Sequence, residues 1–247
     1  MKNSEIKTNF SSWVNELSQK KSVFKVINEP HIQIKDTINT YHLIENLSKL
    51  CDSNDIILAD SGSLYYAVGQ AFRSKKNQRI IVPGGLGTMG YALPAAIGAS
   101  FASPEKRIVC IVGDGSLHTN VQELSVLSKH NLNIKIILLN NGGYASIRNT
   151  QSSFMKGNIV AASEKSGVLF PDWSKIAASY DIEFISESKF SSTSKVLEYV
   201  FKNDGPSILE LILPEKVELM PAVISTKNND GTFKSNRLDE MSPQIKN

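Results

Sequence analysis

The residues best suited to chemistry in this 247-residue chain are an aspartate and an asparagine 27 positions apart, each closing an apolar run. Asp114 stands in Gly113-Asp114-Gly115-Ser116, directly after RIVCIV. Glycines on both sides leave its carboxylate accessible and let a ligand approach the backbone closely. Asn141 belongs to Asn140-Asn141-Gly142-Gly143-Tyr144, directly after IKIILL. A carboxylate, a carboxamide oxygen and a free carbonyl from the glycine pair form a hard-oxygen half-shell. Mg²⁺ prefers that set and completes its octahedron with phosphate oxygens and water. Backbone N–H groups at Gly115 and Ser116 can meet a phosphate beside the metal. Ser61-Gly62-Ser63, after a further apolar run, offers hydroxyl and amide donors to the same anion. Each segment by itself reads as a polar turn. On successive strands of one sheet they converge.

A competing motif lies between them. Gly85, Gly87 and Gly90 satisfy G-x-G-x-x-G, and Asp114, 24 residues beyond Gly90, stands where a ribose-binding acid would. The alternative is therefore an NAD(P)-binding oxidoreductase built on the Gly85–Gly90 loop. Against it, Pro83 ends a very short apolar run directly before the loop, Pro94 falls in the first turn of the next helix, and the Asn-Asn-Gly-Gly ending has no role. Asn120 and Glu123 read as an N-x-x-E capping box, a structural pair.

The elements that must position these residues alternate regularly. Helix-like stretches at 38–50, 65–72, 91–102, 121–130, 172–180 and 192–201 are interleaved with apolar strands at 55–60, 79–83, 107–114, 134–141 and 206–213. Uninterrupted Ile/Val/Leu strands between helices predict an α/β fold: a doubly wound parallel sheet with helices on both faces. Ligands in such sheets sit at the carboxyl ends of the strands, where all the motifs above lie. Residues 1–34 read as a polar leader, 35–213 as the core domain, and 214–247 as a turn-rich tail, either a flap or a disordered end.

Together these segments resemble the thiamine diphosphate enzymes, whose motif is G-D-G-S, 23 residues, then N-N, here running from Gly113 to Asn141. GGLGTMGYALPAAIGA (84–99) is similar to the acetolactate synthase branch in particular. The resemblance covers about 35–213, the domain that holds the cofactor's diphosphate. It implies that Asp114, the Asn141 side chain and the Gly143 carbonyl hold Mg²⁺. Gly115, Ser116 and Ser63 would hold the diphosphate, with Tyr144 among the cofactor-binding residues. Met89 would bend the cofactor, and the Gly87 carbonyl would accept from its 4′-amino group. The implied activity is decarboxylation of a 2-oxoacid, with transfer to a proton or an acceptor carbonyl.

It also implies an absence. In this family a Glu on a separate pyrimidine-binding domain, usually of a neighbouring chain, protonates the cofactor's N1′. Nothing in the sequence matches that domain, or the flavin-carrying middle domain of the acetolactate synthases. The chain is expected to be half of a split enzyme or a fragment of a longer one. It would be inactive alone and joined to a pyrimidine-binding subunit in a hetero-oligomer, two of each half. A non-catalytic thiamine-diphosphate-binding protein is the remaining alternative.

Departures from the branch bear on substrate. Where acetolactate synthases resemble G-M-V-x-Q-W-Q-x-x-F, this chain has Ser146 for Met and Thr150 for Trp, while Ile147 and Gln151 fit. A smaller, more polar pocket follows. The runs GYASIRNTQ, SGVLFPDWSKIA and LDEMSP are more similar to acetolactate-synthase-like proteins of surface-polysaccharide gene clusters, where the acceptor would be a keto-sugar. His118 is either a substrate or phosphate contact or a partly solvated helix-entry residue. Arg148 either pairs with a carboxylate or sugar phosphate or is a solvated charge. A net charge of +3 gives no footprint for nucleic acid. No apolar run approaches membrane-spanning length, and the start lacks a signal-peptide core. Cys51 and Cys110 are too few and too far apart for a disulfide scaffold, which fits a cytoplasmic protein.

Overall fold

The computed structural model describes residues 9–23, 36–216, 219–238 and 240–242. Parts of the leader and of the tail's LDEMSP run therefore lie outside the described residues. Six strands form one parallel sheet: β1 (Ile56–Ala59), β2 (Arg79–Ile81), β3 (Ile108–Gly113), β4 (Ile134–Asn140), β5 (Glu183–Glu187) and β6 (Ser207–Ile212), in the order β2-β1-β3-β4-β6-β5. Period-two alternation divides each inner strand between two cores. Ile57, Ala59, Val109, Ile111, Ile137, Leu139, Leu209 and Leu211 face α2 (Thr40–Leu50), α3 (Ser63–Ala71) and α9 (Phe190–Lys202). Leu58, Ile108, Cys110, Val112, Ile136, Leu138 and Ile208 face α4 (Ala92–Ala102), α6 (Leu124–His130) and α8 (Trp173–Ser179). Each fully buried Ile, Leu or Val contributes about 1.5–3 kcal/mol. Two covered faces thus explain why the strands read as unbroken apolar runs.

Local signals set the element ends. Asn39 caps α2 by accepting from the Tyr41 and His42 N–H groups, and Asp172 caps α8 through Ser174 and Lys175. Within the span 35–213, α5 (Asp114–Thr119), α7 (Ala145–Phe154) and edge strand β5 escape the sequence pattern. Helix α7, ASIRNTQSSF, is rich in residues that favour turns, so propensity alone does not predict it. The expected capping box is absent. Asn120 instead turns its side-chain amide to the Gly90 carbonyl, 2.7 Å away.

The topology also separates the glycine loop from a dinucleotide-binding fingerprint. That fingerprint puts the ribose acid at the end of the neighbouring strand. Here β1 lies between β2, which precedes the loop, and β3, which carries Asp114. After β6, described parts of the tail form two antiparallel ladders, β7 (Ala222–Val223) with β10 (Met241–Ser242) and β8 (Ser225–Lys227) with β9 (Phe233–Ser235). The Phe154 and Phe233 rings, centroids 4.9 Å apart, seat this tail on the end of α7. The leader carries α1 (Ser11–Val23), whose Trp13, Val14 and Leu17 are exposed. No helix among the described residues is long and apolar enough to cross a membrane.

Candidate functional site

Doubly wound sheets open a crevice where the winding reverses, here between β1 and β3. A cleft occupies that place, with about 610 Å³ of empty space including its open mouth. Its walls come from three strand ends: Ser61–Leu64 after β1, Gly113–Ser116 after β3, and Asn141 with Gly143–Ile147 after β4. Met89 closes one side from the glycine loop.

Asp114 is the buried charge of the cleft, 2% exposed. Its two oxygens accept 2.8 Å bonds from the N–H groups of Gly115 and Gly143. The end of β3 is thereby tied to the loop after β4, as the adjacent register of the two strands requires. Burial pushes the Asp114 carboxyl up to about 6, while those N–H groups and the Arg148 charge pull it down. Among the described residues no Lys, Arg or His forms an ion pair with it.

The paired asparagines divide their work. The Asn140 amide donates to Glu210 of β6 at 2.8 Å, and its oxygen accepts from the Gly142 N–H. Asn141 lines the cleft. Gly143 has φ +135, and a Cβ there would lie 2.4 Å from the Ala162 carbonyl and 2.8 Å from the Arg148 guanidinium. Only glycine fits. Its carbonyl accepts from the Ala145 N–H and retains a second lone pair. At Gly115 a Cβ would meet the Tyr144 ring at 2.3 Å, so a larger residue there requires that ring to move.

Ser116 is buried at the cleft wall, and the Ser63 and Ser146 hydroxyls meet across the cleft at 3.2 Å. Ile147 lines the cleft beside Ser146. The remaining expected residues lie elsewhere. Thr150 bonds back to the Ser146 carbonyl at 3.0 Å, one turn along α7 and outside the cleft wall. Gly87, at φ +63, is on the exposed part of the glycine loop with open space around it. His118 is turned away from the cleft, against Phe170 and Trp173 with ring centroids 5.8 and 6.4 Å distant.

Three residues take supporting roles that the sequence pattern does not show. Asp60, fully buried at the end of β1, accepts from the N–H groups of Ser61, Gly90 and Ala92, fastening the glycine loop to the sheet. Asn120 holds the same loop from α5. Arg148 is 7% exposed and donates to carbonyls on both sides of the loop after β4, so it is not the solvated charge that was one of its two expected roles. Such roles have no sequence signature, because each depends on which loop arrives from far along the chain.

Among the described residues no three His, Cys, Asp or Glu side chains gather into a metal cluster. The cleft offers instead a carboxylate, a carboxamide and a carbonyl, a set suited to a hard cation that brings its own anionic ligand. A buried carboxylate that lines the cleft and has no ion-pair partner among the described residues fits such a cation. The Gly115 N–H is already given to Asp114, which leaves Ser116 and Ser63 as polar lining residues that fit a phosphate.

Residues 60–211 match the family model described as thiamine pyrophosphate enzyme, C-terminal TPP binding domain. The chain is 32% identical over 188 residues to the acetolactate synthase isozyme 1 large subunit of Escherichia coli (strain K12), covering 76% of this chain and 33% of that protein. It is 31% identical over 233 residues to the chloroplastic acetolactate synthase of Arabidopsis thaliana, covering 93% and 34%. The mitochondrial acetolactate synthase catalytic subunit of Aspergillus candidus is 31% identical over 216 residues, covering 86% and 30%. The chain thus spans about a third of the length of these relatives. The matched segment begins at Asp60 and ends in β6, enclosing the segments after β1, β3 and β4 that line the cleft. By fold, cleft and sequence alike, the chain belongs to the thiamine pyrophosphate enzymes, with the C-terminal TPP-binding domain of their acetolactate-synthase-like branch.

Proposed function

We propose that this chain supplies the diphosphate- and Mg²⁺-binding half of a 2-oxoacid decarboxylase or carboligase whose other half is a pyrimidine-binding partner. One observation carries the reading. Asp114 is a buried carboxylate that only backbone N–H groups satisfy, at the reversal point of the sheet and beside Asn141 and Gly143. Asp114, Asn141 and the Gly143 carbonyl would hold the cation, and Ser116 and Ser63 the diphosphate. Thiamine diphosphate, when bound, supplies the nucleophilic carbon and the electron sink that decarboxylation needs.

The protein's own part is orientation and exclusion of water. Asp60 and Asn120 fix the glycine loop that carries Met89 to the cleft wall. The Tyr144 ring lies over Gly115 and packs against Phe170, covering that wall with apolar surface. The Ser146 hydroxyl, where the acetolactate synthases carry Met, gives the substrate side a polar group, which suits an acceptor richer in oxygen than a simple 2-oxoacid.

Calorimetry on the full chain tests the reading. Thiamine diphosphate with Mg²⁺ is expected to bind, NAD is not, and Asp114→Ala is expected to abolish cation-dependent binding. Unchanged cofactor affinity in Asp114→Ala would remove the metal assignment. Binding of NAD in place of thiamine diphosphate would return the glycine loop to the dinucleotide reading.

A further inference from the structure

Arg148 lies one turn into α7, and helix-face arginines ordinarily keep their charged ends in water. This one is 7% exposed. One terminal nitrogen donates to the Ala162 and Gly142 carbonyls at 3.0 and 3.3 Å. The other donates to the Glu215 carbonyl at 2.6 Å, to the Asn141 carbonyl at 3.0 Å and to Asn141 Oδ1 at 3.2 Å. These five acceptors are all neutral oxygens. Among the described residues the guanidinium has no carboxylate partner within ion-pair distance. Burying a charge this far costs several kcal/mol unless its donors are used, and here the planar fork reaches three separate segments.

Those segments meet at the loop after β4. Gly142 and Gly143 both have positive φ, so their own backbone preference does not hold them. A Cβ at Gly143 would lie 2.8 Å from Arg148 Nη1, so glycine there also makes room for the guanidinium. The Tyr144 N–H reaches the Ala162 carbonyl, the same oxygen that accepts from Arg148.

We propose that Arg148 is the positioning residue of the cation loop: its guanidinium clamps Asn141 and Gly142 against Ala162 and Glu215, and so presents the Asn141 side-chain oxygen at the cleft. This rests on the reading of Asp114, Asn141 and Gly143 as cation ligands. Lysine at this position keeps the charge but not the fork. It can serve one or two of the carbonyls and leaves the loop free to rotate Asn141 away.

The test titrates Mn²⁺ into the full chain with saturating thiamine diphosphate, reading protein-bound manganese by electron paramagnetic resonance, with thermal unfolding in parallel. Arg148→Lys is expected to weaken Mn²⁺ binding about tenfold. In an Asn141→Ala background the same substitution should change it by less than about twofold, because the clamp acts through Asn141. Arg148→Gln, which keeps two N–H donors without the charge, is a second probe and should show the same coupling. Equal weakening with and without Asn141 would make Arg148 a general support of the fold and overturn the proposal. So would an Arg148→Lys chain that binds Mn²⁺ like the wild type. Asp114→Ala separates the two readings. If it leaves Mn²⁺ binding intact, the cation site itself is misplaced and the clamp falls with it.

Discussion

Gly90 and Gly98 stand eight residues apart and answer oppositely to the same substitution. Gly90 has φ +76, and a Cβ there would lie 2.0 Å from Thr119 Oγ1 and 2.7 Å from the Asn120 amide. Gly98 lies inside α4 with open space where a Cβ would go. Gly90→Ala should lose at least about 2 kcal/mol through backbone strain and the loop–helix clash. Gly98→Ala should gain about 0.5–1 kcal/mol from helix propensity. Chemical denaturation of the two variants checks the signs, and equal effects would discount the close approach at Gly90. The glycine pattern itself was legible in the sequence, but it also matched a dinucleotide fingerprint. What separates the readings is the strand order, which puts β1 between the strand before the loop and the strand that carries Asp114, and strand order is not visible in local composition. Asp114 and Asn141 were legible because glycines beside strand ends are local signals. Asp60 and Arg148 were not, since their acceptors and donors come from residues 30 and 67 positions away.

At the scale of elements, β4 carries a lysine through the centre of the sheet. Lys135 is fully buried, and its ammonium donates to the Asn203 and Gly205 carbonyls at 2.7 and 2.5 Å, closing the turn between α9 and β6. The apolar periodicity of β4 was enough to place the strand, but the destination of its one charge required α9 and β6 to be in place. Burial lowers the Lys135 pKa to about 8, with Glu183 opposing the shift. An unfolded lysine titrates near 10.4. Between those values the unfolded chain binds more protons than the folded one, so stability rises with pH, by up to about 1.4 kcal/mol per pH unit. Below the lower value both states are protonated and the contribution to the slope vanishes. Urea unfolding at pH 7.5 and pH 10 should therefore show the wild type gaining on Lys135→Met as pH rises. Parallel pH profiles would mean that the ammonium is not the titrating group.

For the whole molecule, the fold and the cleft differ in completeness. Both faces of the sheet are covered and the strand ends converge, yet the only carboxylate lining the cleft among the described residues is Asp114, whose oxygens already bind backbone N–H groups. The proposed chemistry needs a second acid, near the cofactor's pyrimidine, that Asp114 cannot also be. On the glycine loop Leu86 is 88% exposed, and the cleft-lining Met89 and Ile147 are exposed as well. Covering Leu86 contributes about 1.5–3 kcal/mol, with smaller additions from Met89 and Ile147, so the surface that leaves the cleft open is also one that gains from being covered. A pyrimidine-binding domain bearing a glutamate would meet both needs. The chain by itself is then expected to bind thiamine diphosphate with Mg²⁺ but to release no CO₂ from pyruvate or other 2-oxoacids. Adding a chain that carries the pyrimidine domain should restore decarboxylation, and a Leu86→Asp substitution should weaken that restoration while leaving Mg²⁺-dependent cofactor binding to the isolated chain unchanged. Turnover by the purified chain alone would show that the acid comes from within it. Cofactor binding with no turnover under any pairing would instead mark the chain as a binding protein that retains the fold without the reaction.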